Sequence, residues 1–185
     1  MRLLVLGAGT AGTMVVNKLR RRLARAEWDI TVVEAGTRHF YQPGFLFIPF
    51  GAYVPKKVSQ PTRRLIAEGV ELVHGEVDRV DPASARVLLT DGRVLDYDYL
   101  VIATGVTPRP DQTPGMLDGG EWRKSIFDFY TYDGAVALER ALRHFGGGRL
   151  VVHITDMPIK CPVAPLEFAF LADWFLHEKD RKSVV

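Results

Sequence analysis

Residues 2–6 are a compact, mainly apolar run, Leu3-Leu4-Val5-Leu6 after Arg2, closing on glycine. That is the pattern of a parallel strand buried on both faces. From residue 11 to about residue 25, apolar Met14, Val15, Leu19 and Leu23 recur at helical spacing with arginines opposite, which predicts an amphipathic helix. Residues 30–33 predict a second strand. Strand, glycine turn, helix and strand make a βαβ unit, whose crossover is expected to be right-handed. Residues 36–62 hold four of the eleven prolines and predict an irregular excursion. A short helix is expected at 61–68 and a strand at 71–77. Residues 86–89 and 94–97, joined through Asp91-Gly92, read as a hairpin. Residues 99–103 read as another buried strand, followed by a Pro/Gly-rich connector over 107–120. A helix is expected at 133–145, capped by Thr131 or Asp133 and stopped by Gly146-Gly147-Gly148. Residues 150–154 then predict a strand. The last helix is expected from Pro165 to about Lys179, with Phe168, Leu171, Trp174 and Phe175 inward. No strand is expected after it, so a second βαβ unit reads as cut short and the chain as a fragment.

The chain has 185 residues, 47% hydrophobic and 25% charged, which is ordinary globular composition and excludes general disorder. Twenty-four Lys and Arg stand against 22 Asp and Glu, a net charge of +2, which argues against nucleic acid as a partner. The basic cluster Arg20, Arg21, Arg22 and Arg25 reads as a solvated helix face. One cysteine cannot form an internal disulfide, so a disulfide-stapled scaffold is excluded. No run approaches the ~18 apolar residues of a membrane span. Met1-Arg2 leads directly into the first strand, so no signal peptide is expected and a cytosolic start is the default.

Gly7-Ala8-Gly9-Thr10-Ala11-Gly12 is G-x-G-x-x-G set between a predicted strand and a predicted helix. The first glycine permits the tight turn, the second lets a pyrophosphate approach the backbone, and the third lets helix and strand pack closely. Glu34 stands at the end of the second strand, where a carboxylate accepts ribose hydroxyl hydrogen bonds. An acid there argues against a 2′-phosphate, so the ligand reads as FAD or NAD. A second sign is Tyr99-Leu100-Val101-Ile102-Ala103-Thr104-Gly105, a strand entering a small-residue turn that lets the chain pass beside a dinucleotide.

With the hairpin before that strand, residues 1–105 resemble the FAD domain of flavoproteins with two dinucleotide-binding domains, which favours FAD. These include disulfide reductases, type II NADH dehydrogenases and sulfide:quinone oxidoreductases. NADH-using members carry another glycine-rich turn after the strand opening the second domain. No glycine occurs after Gly148 here, which disfavours NADH on steric grounds. Cys161 stands instead between Lys160 and a predicted helix N-terminus, two features that favour the thiolate. Lys160-Cys161-Pro162-Val163-Ala164-Pro165-Leu166-Glu167 resembles the segment around a catalytic cysteine in sulfide:quinone oxidoreductases and flavocytochrome c sulfide dehydrogenases. Phe40-Tyr41-Gln42-Pro43-Gly44 likewise resembles their segment passing close to the flavin. The likeness to the sulfide:quinone oxidoreductase family covers essentially the whole chain, as an N-terminal half.

That resemblance implies an α/β fold. A Rossmann-like FAD-binding domain, with a parallel sheet and a β-hairpin insertion, would occupy residues 1–110. A connector and helix would span 111–148, and a truncated second Rossmann-like domain 149–185. FAD would lie across Gly7, Gly9, Thr10, Ala11 and Gly12, with Glu34 and Ala35 at its ribose. Val77 would meet the adenine end, Gln42 and Pro43 would border the flavin, and Ala103, Thr104 and Gly105 would pass the cofactor. Cys161 would be the catalytic residue, working with a second cysteine from the family's later half. Sulfide would be oxidised to polysulfide or elemental sulfur, and electrons would pass to a quinone. Peripheral contact with the inner face of a membrane would come through that missing half, and a homo-oligomer is allowed. The partner cysteine, a further cysteine upstream of residue 133 and the later flavin-binding segment are missing from this chain, which departs from the family pattern. Local residues at the upstream position are Trp122, Ser125, Phe127 and Phe129. The fragment alone is therefore expected to be inactive.

Alternative readings are a sulfide dehydrogenase flavoprotein subunit, an NADH:quinone oxidoreductase, and a non-enzymatic nucleotide-binding remnant with Cys161 as a redox sensor. Other titratable groups read as bland. His39 is expected at the surface, His153 in a buried strand, and His74, His144 and His177 exposed, with no spacing for a metal. Glu167 either influences the thiol or stabilises the helix dipole.

Overall fold

The computed structural model describes residues 1–178 with Ser183 and Val184. The expected helix end at Lys179 and most of the divergent tail lie outside the described residues. The chain forms two compact units, Met1–Phe40 with Ser59–Thr107, and Tyr41–Val58 with Pro108–Val185.

In chain order the first unit holds β1 (Arg2–Leu6), α1 (Thr10–Arg20), β2 (Asp29–Glu34), β3 (Arg38–Phe40) and β4 (Ser59–Pro61). It continues with β5 (Glu71–His74), β6 (Val77–Asp81), β7 (Arg86–Leu89), β8 (Val94–Asp96) and β9 (Tyr99–Ile102). A four-stranded sheet runs in the order β5-β2-β1-β9, and its pairings are all parallel. Residue alternation along β1 decides its layers. Leu3 and Val5 join Ile30, Val32 and, on α1, Val16 in one core. Leu4 and Leu6 join Val33 and Val73 against Val87 and Leu89 of β7 in another. Each fully buried Leu or Val contributes on the order of 1.5–3 kcal/mol. The sheet thus lies between a helix and an antiparallel meander, β6-β7-β8.

Several boundaries differ from the sequence reading for local reasons. α1 ends at Arg20, five residues early, because the Arg20 side chain turns inward. Only 8% exposed, it donates to the carbonyls of Leu23 (2.6 Å) and Trp28 (2.9 Å), satisfying acceptors where the chain leaves the helix. Arg21, Arg22 and Arg25 are exposed as expected, although beyond the end of α1, and only Arg20 leaves the solvated cluster. Met14 faces solvent, and the buried ridge of α1 runs through Gly12, Thr13 and Val16 to Arg20. The strand expected at 71–77 ends at His74, and Val77 opens a third strand beside the expected hairpin. β9 was expected buried, yet Tyr99 and Ile102 are more than half exposed, because β9 is an edge strand paired to β1 alone among the described residues. The expected helix at 61–68 is a 3-10 turn at Thr62–Leu65 behind Pro61. The ends of the excursion meet, β3 pairing antiparallel with β4.

The second unit begins with 3-10 turns at Gln42–Phe47 and Pro55–Val58. It continues through α2 (Tyr132–His144), β10 (Gly148–Arg149), α3 (Ala164–Glu178) and β11 (Ser183–Val184). Thr131 caps α2 by accepting from the Gly134 amide at 3.0 Å, as the capping pattern predicts. Leu46 and Phe50 pack with Leu138 and Leu142 of α2 and Phe168, Ala172 and Phe175 of α3. Phe129 stacks on Phe168, with centroids 4.7 Å apart and planes 7° from parallel. Residues 150–154 form no strand, which corrects the sequence reading; Val151 is 71% exposed and has no sheet neighbour among the described residues. Regular pairing is confined to β10, which lies parallel to β11, so α3 does lead to a two-residue strand where none was expected. Phe168 and Phe175 point inward as expected, whereas Trp174 is 55% exposed.

Candidate functional site

In the first unit, the glycine turn joins the end of β1 to the start of α1. Gly7 adopts φ +94°, and a Cβ there would stand 2.5 Å from the Ala103 carbonyl oxygen. A Cβ on Gly12 would stand 1.8 Å from the Gly7 carbonyl oxygen. Neither position admits a side chain without moving backbone. Gly9 differs: a Cβ there would meet nothing within 4 Å. It is the N-cap of α1, without a side-chain cap, and the helix has no acidic residue in its first turn. An open cradle at an uncapped helix N-terminus is the geometry that accepts a phosphate. Thr10 and Ala11, the first residues of α1, are exposed at this edge.

Glu34 ends β2 beside the turn. Its Oε2 accepts from the Ala8 amide (2.6 Å) and its Oε1 from the Gly36 amide (3.1 Å), so the carboxylate ties both loops together. Ala35 lies exposed between them. Ala103, Thr104 and Gly105 follow β9 directly, and the Gly7 contact places Ala103 and Thr104 against the glycine turn. Gly105, at φ +72°, has open space where a Cβ would be. Val77 opens β6, opposite Leu89, and packs on the cluster that includes Leu6 and Val33. Two further residues support the turn and were not assigned to it from sequence. Thr13 Oγ1 donates to the Ala8 carbonyl (2.9 Å), and His39 Nδ1 lies 2.9 Å from the same oxygen. His39 is therefore half-buried in β3 rather than a plain surface histidine. Its position follows from the β3–β4 pairing across the excursion, for which the sequence carries no periodic signal.

In the second unit, Cys161 is exposed and lies three residues before α3. It adopts φ +53°, a left-handed conformation uncommon for a residue with a side chain. Its carbonyl accepts from the Ala164 amide (3.0 Å) and from the Tyr130 hydroxyl (3.2 Å). The Lys160 ammonium donates to Gln42 Oε1. The structure thus joins the Gln42-Pro43 segment to the Cys161 segment, with Pro43 in the 3-10 turn that begins at Gln42. Tyr130 was not among the expected residues; no spacing rule links it to a cysteine 31 positions later. Trp122, Ile126, Phe127 and Phe129 are half-buried before α2, and Ser125 donates to Glu121 (2.6 Å). Glu167 is exposed in the first turn of α3, where an acid stabilises the dipole. His153 is exposed and outside any strand, which corrects the expectation of a core histidine. His74, His144 and His177 are exposed as expected.

Comparison with known proteins bears on what this arrangement holds. The profile described as pyridine nucleotide-disulphide oxidoreductase matches residues 1–152. The chain belongs to that family. The mitochondrial sulfide:quinone oxidoreductase of Mus musculus is 27% identical over 179 residues, 97% of this chain and 39% of that protein. A type II NADH:quinone oxidoreductase of Staphylococcus haemolyticus is 31% identical over 118 residues, 63% of this chain and 29% of the other. Among solved structures, the sulfide:quinone oxidoreductase from Aquifex aeolicus superposes with a TM-score of 0.72 at 20% identity, over 96% of this chain and 40% of that one. The chain spans about two-fifths of the length of the sulfide:quinone relatives it matches.

This pyridine nucleotide-disulphide oxidoreductase chain is a Rossmann-like flavoprotein segment, and FAD is the cofactor of its family. The residues fit that cofactor. The Gly9 cradle and uncapped helix start suit a pyrophosphate, the clash-limited Gly7 and Gly12 hold the turn close, and the open space at Gly105 leaves room beside β9.

Proposed function

We propose that this oxidoreductase takes electrons from sulfide and passes them to a quinone. The observation that carries the proposal is Cys161, exposed in a glycine-free turn before α3, where an NADH-binding unit needs a glycine-rich one. Similarity to the mouse sulfide:quinone oxidoreductase extends over 97% of the chain, a span that reaches past the Cys161 segment, and supports the same reading. The N-terminus of α1, with Gly7, Gly9, Thr10, Ala11 and Gly12, would hold the cofactor's phosphates, and Glu34 with Ala35 would meet its ribose. Ala103, Thr104 and Gly105 would flank it, Val77 would serve the adenine end, and Gln42 and Pro43 the flavin end. Bound FAD supplies a two-electron acceptor that a quinone can reoxidise.

The chain's own chemistry centres on sulfur. Cys161 is the only cysteine, so its disulfide partner comes from outside these 185 residues. Hydrosulfide attacks the Cys161 sulfur of that bridge. A new sulfur–sulfur bond forms, the bridge breaks, and the partner leaves as a thiolate while Cys161 carries the persulfide. A second hydrosulfide takes the outer sulfur away as hydrodisulfide and leaves both cysteines as thiolates. Re-forming their bridge gives up two electrons, which bound FAD would accept, so one sulfide is oxidised and the cysteines are unchanged over the cycle. The whole protein is proposed to work at the inner face of a membrane, where its quinone resides.

Replacing Cys161 by Ser in the flavoprotein that carries this sequence tests the assignment. FAD content stays at wild-type level, because the glycine turn is untouched, and sulfide-dependent quinone reduction falls at least about a thousandfold, as for other lost nucleophiles. Activity within about tenfold of wild type would remove Cys161 from the mechanism.

A further inference from the structure

We propose that Tyr130 is a positioning residue for Cys161, its hydroxyl holding the cysteine in the left-handed conformation from which the thiol acts. The inference rests on the reading of Cys161 as the sulfur nucleophile. Cys161 is disfavoured in its conformation on two counts. Its φ of +53° brings Cβ toward the following carbonyl oxygen, and the next residue is Pro162, whose ring drives its predecessor toward extended backbone. A residue in such a state persists only when its surroundings fix it. Two donors grip the Cys161 carbonyl, the Ala164 amide at 3.0 Å and the Tyr130 hydroxyl at 3.2 Å. The amide bond is part of the opening of α3. The hydroxyl comes from another segment, so Tyr130 fixes the turn from outside the helix.

Tyr130 is itself well held. Asp128 Oδ1 accepts from the amides of Tyr130 (3.0 Å) and Thr131 (2.7 Å), and its Oδ2 accepts from the Thr131 hydroxyl (3.1 Å). The Tyr130 ring stacks on Phe129, which stacks on Phe168 of α3. The donor is thus built onto the helix whose first turn follows the cysteine. Burial, followed by the charge of Cys161, pushes the Tyr130 phenol above its ordinary range. The phenol therefore keeps its proton, and its donor role, at neutral pH.

Stability and thiol reactivity of this chain read the proposal, and its single cysteine makes the second measurement unambiguous. Tyr130→Phe removes the hydroxyl and keeps the ring. It is expected to lower the urea midpoint with Cys161 present, and to lower it less than about half as much with Cys161→Gly, because glycine adopts φ +53° without help. Equal losses in the two backgrounds would overturn the proposal, since the hydroxyl would then merely satisfy a carbonyl. Should Tyr130→Phe not fold, Cys161→Gly is compared with Cys161→Ala. The glycine chain is expected to have the higher urea midpoint, and equal midpoints would mean that no strain is held there.

In folded Tyr130→Phe, the rate of iodoacetamide alkylation of Cys161 changes at least about twofold at fixed pH, which a purely structural hydrogen bond would not cause. An unchanged rate would overturn positioning. Failure of the sulfide reading has a separate signature, turnover that survives Cys161→Ser while the Tyr130–Cys161 coupling persists.

Discussion

At the scale of single residues, the glycine turn separates two roles that one motif combines. Gly12 has no room, its added Cβ falling 1.8 Å from the Gly7 carbonyl oxygen, whereas a Cβ on Gly9 would meet open space. Gly12→Ala must therefore displace backbone at the β1–α1 junction, and the expected cost is about 3 kcal/mol or more, as for other severe overpacking. Gly9→Ala keeps its φ of −68° and fills only the cradle, so the thermal midpoint stays within a few degrees while FAD binding weakens about tenfold or more. Thermal melts by circular dichroism and flavin fluorescence titrations check the pair. Equal effects of both substitutions on stability would show that the turn does not divide the work in this way. These roles were legible in the sequence because G-x-G-x-x-G states a steric requirement. The positions of His39 and Thr13 on the Ala8 carbonyl were not, since each depends on contacts made across the fold.

At the scale of elements, strands and helices with a strong period were legible and irregular ones were not. β1, β2 and the core of α2 follow from apolar runs and helical spacing, and Thr131 caps α2 where its residue type predicts. Residues 150–154 have the composition of a buried strand but form none, because strand pairing and burial come from partners that composition does not reveal. β9 shows the same dependence in milder form, a predicted buried strand lying at an edge. Its start is fixed by Asp98, whose Oδ2 accepts the Arg2 amide at 2.6 Å and whose Oδ1 meets the Arg2 guanidinium at 3.1 Å. Those bonds, the amide's first, hold the Asp98 carboxyl below the usual carboxylate range. A depressed folded-state value means that the stabilisation is complete above the unfolded value, about 3.9, and is lost as pH falls through the folded one. Asp98→Asn is accordingly expected to lower the urea midpoint at neutral pH and to narrow the gap to wild type under acid conditions. A gap of constant size across that range would contradict the account. Asp81, Asp91 and Asp111 are depressed as well, so a residual acid slope is expected in the variant.

At the scale of the whole molecule, the two units carry different halves of the proposed chemistry. The first supplies a dinucleotide turn that the family and the geometry both support. The second supplies Cys161, held by Tyr130 and Ala164 at its carbonyl, with Lys160 directed to Gln42. The proposal of a donor other than NADH rests on the absence of glycine between Gly148 and Val185. The most direct test is anaerobic reduction of the FAD-loaded protein that carries this sequence, followed by the flavin's visible absorbance. Sulfide should bleach the flavin within seconds, with the colour restored by a quinone, while NADH at equal concentration leaves it oxidised. Rapid bleaching by NADH, with none by sulfide, would contradict the account.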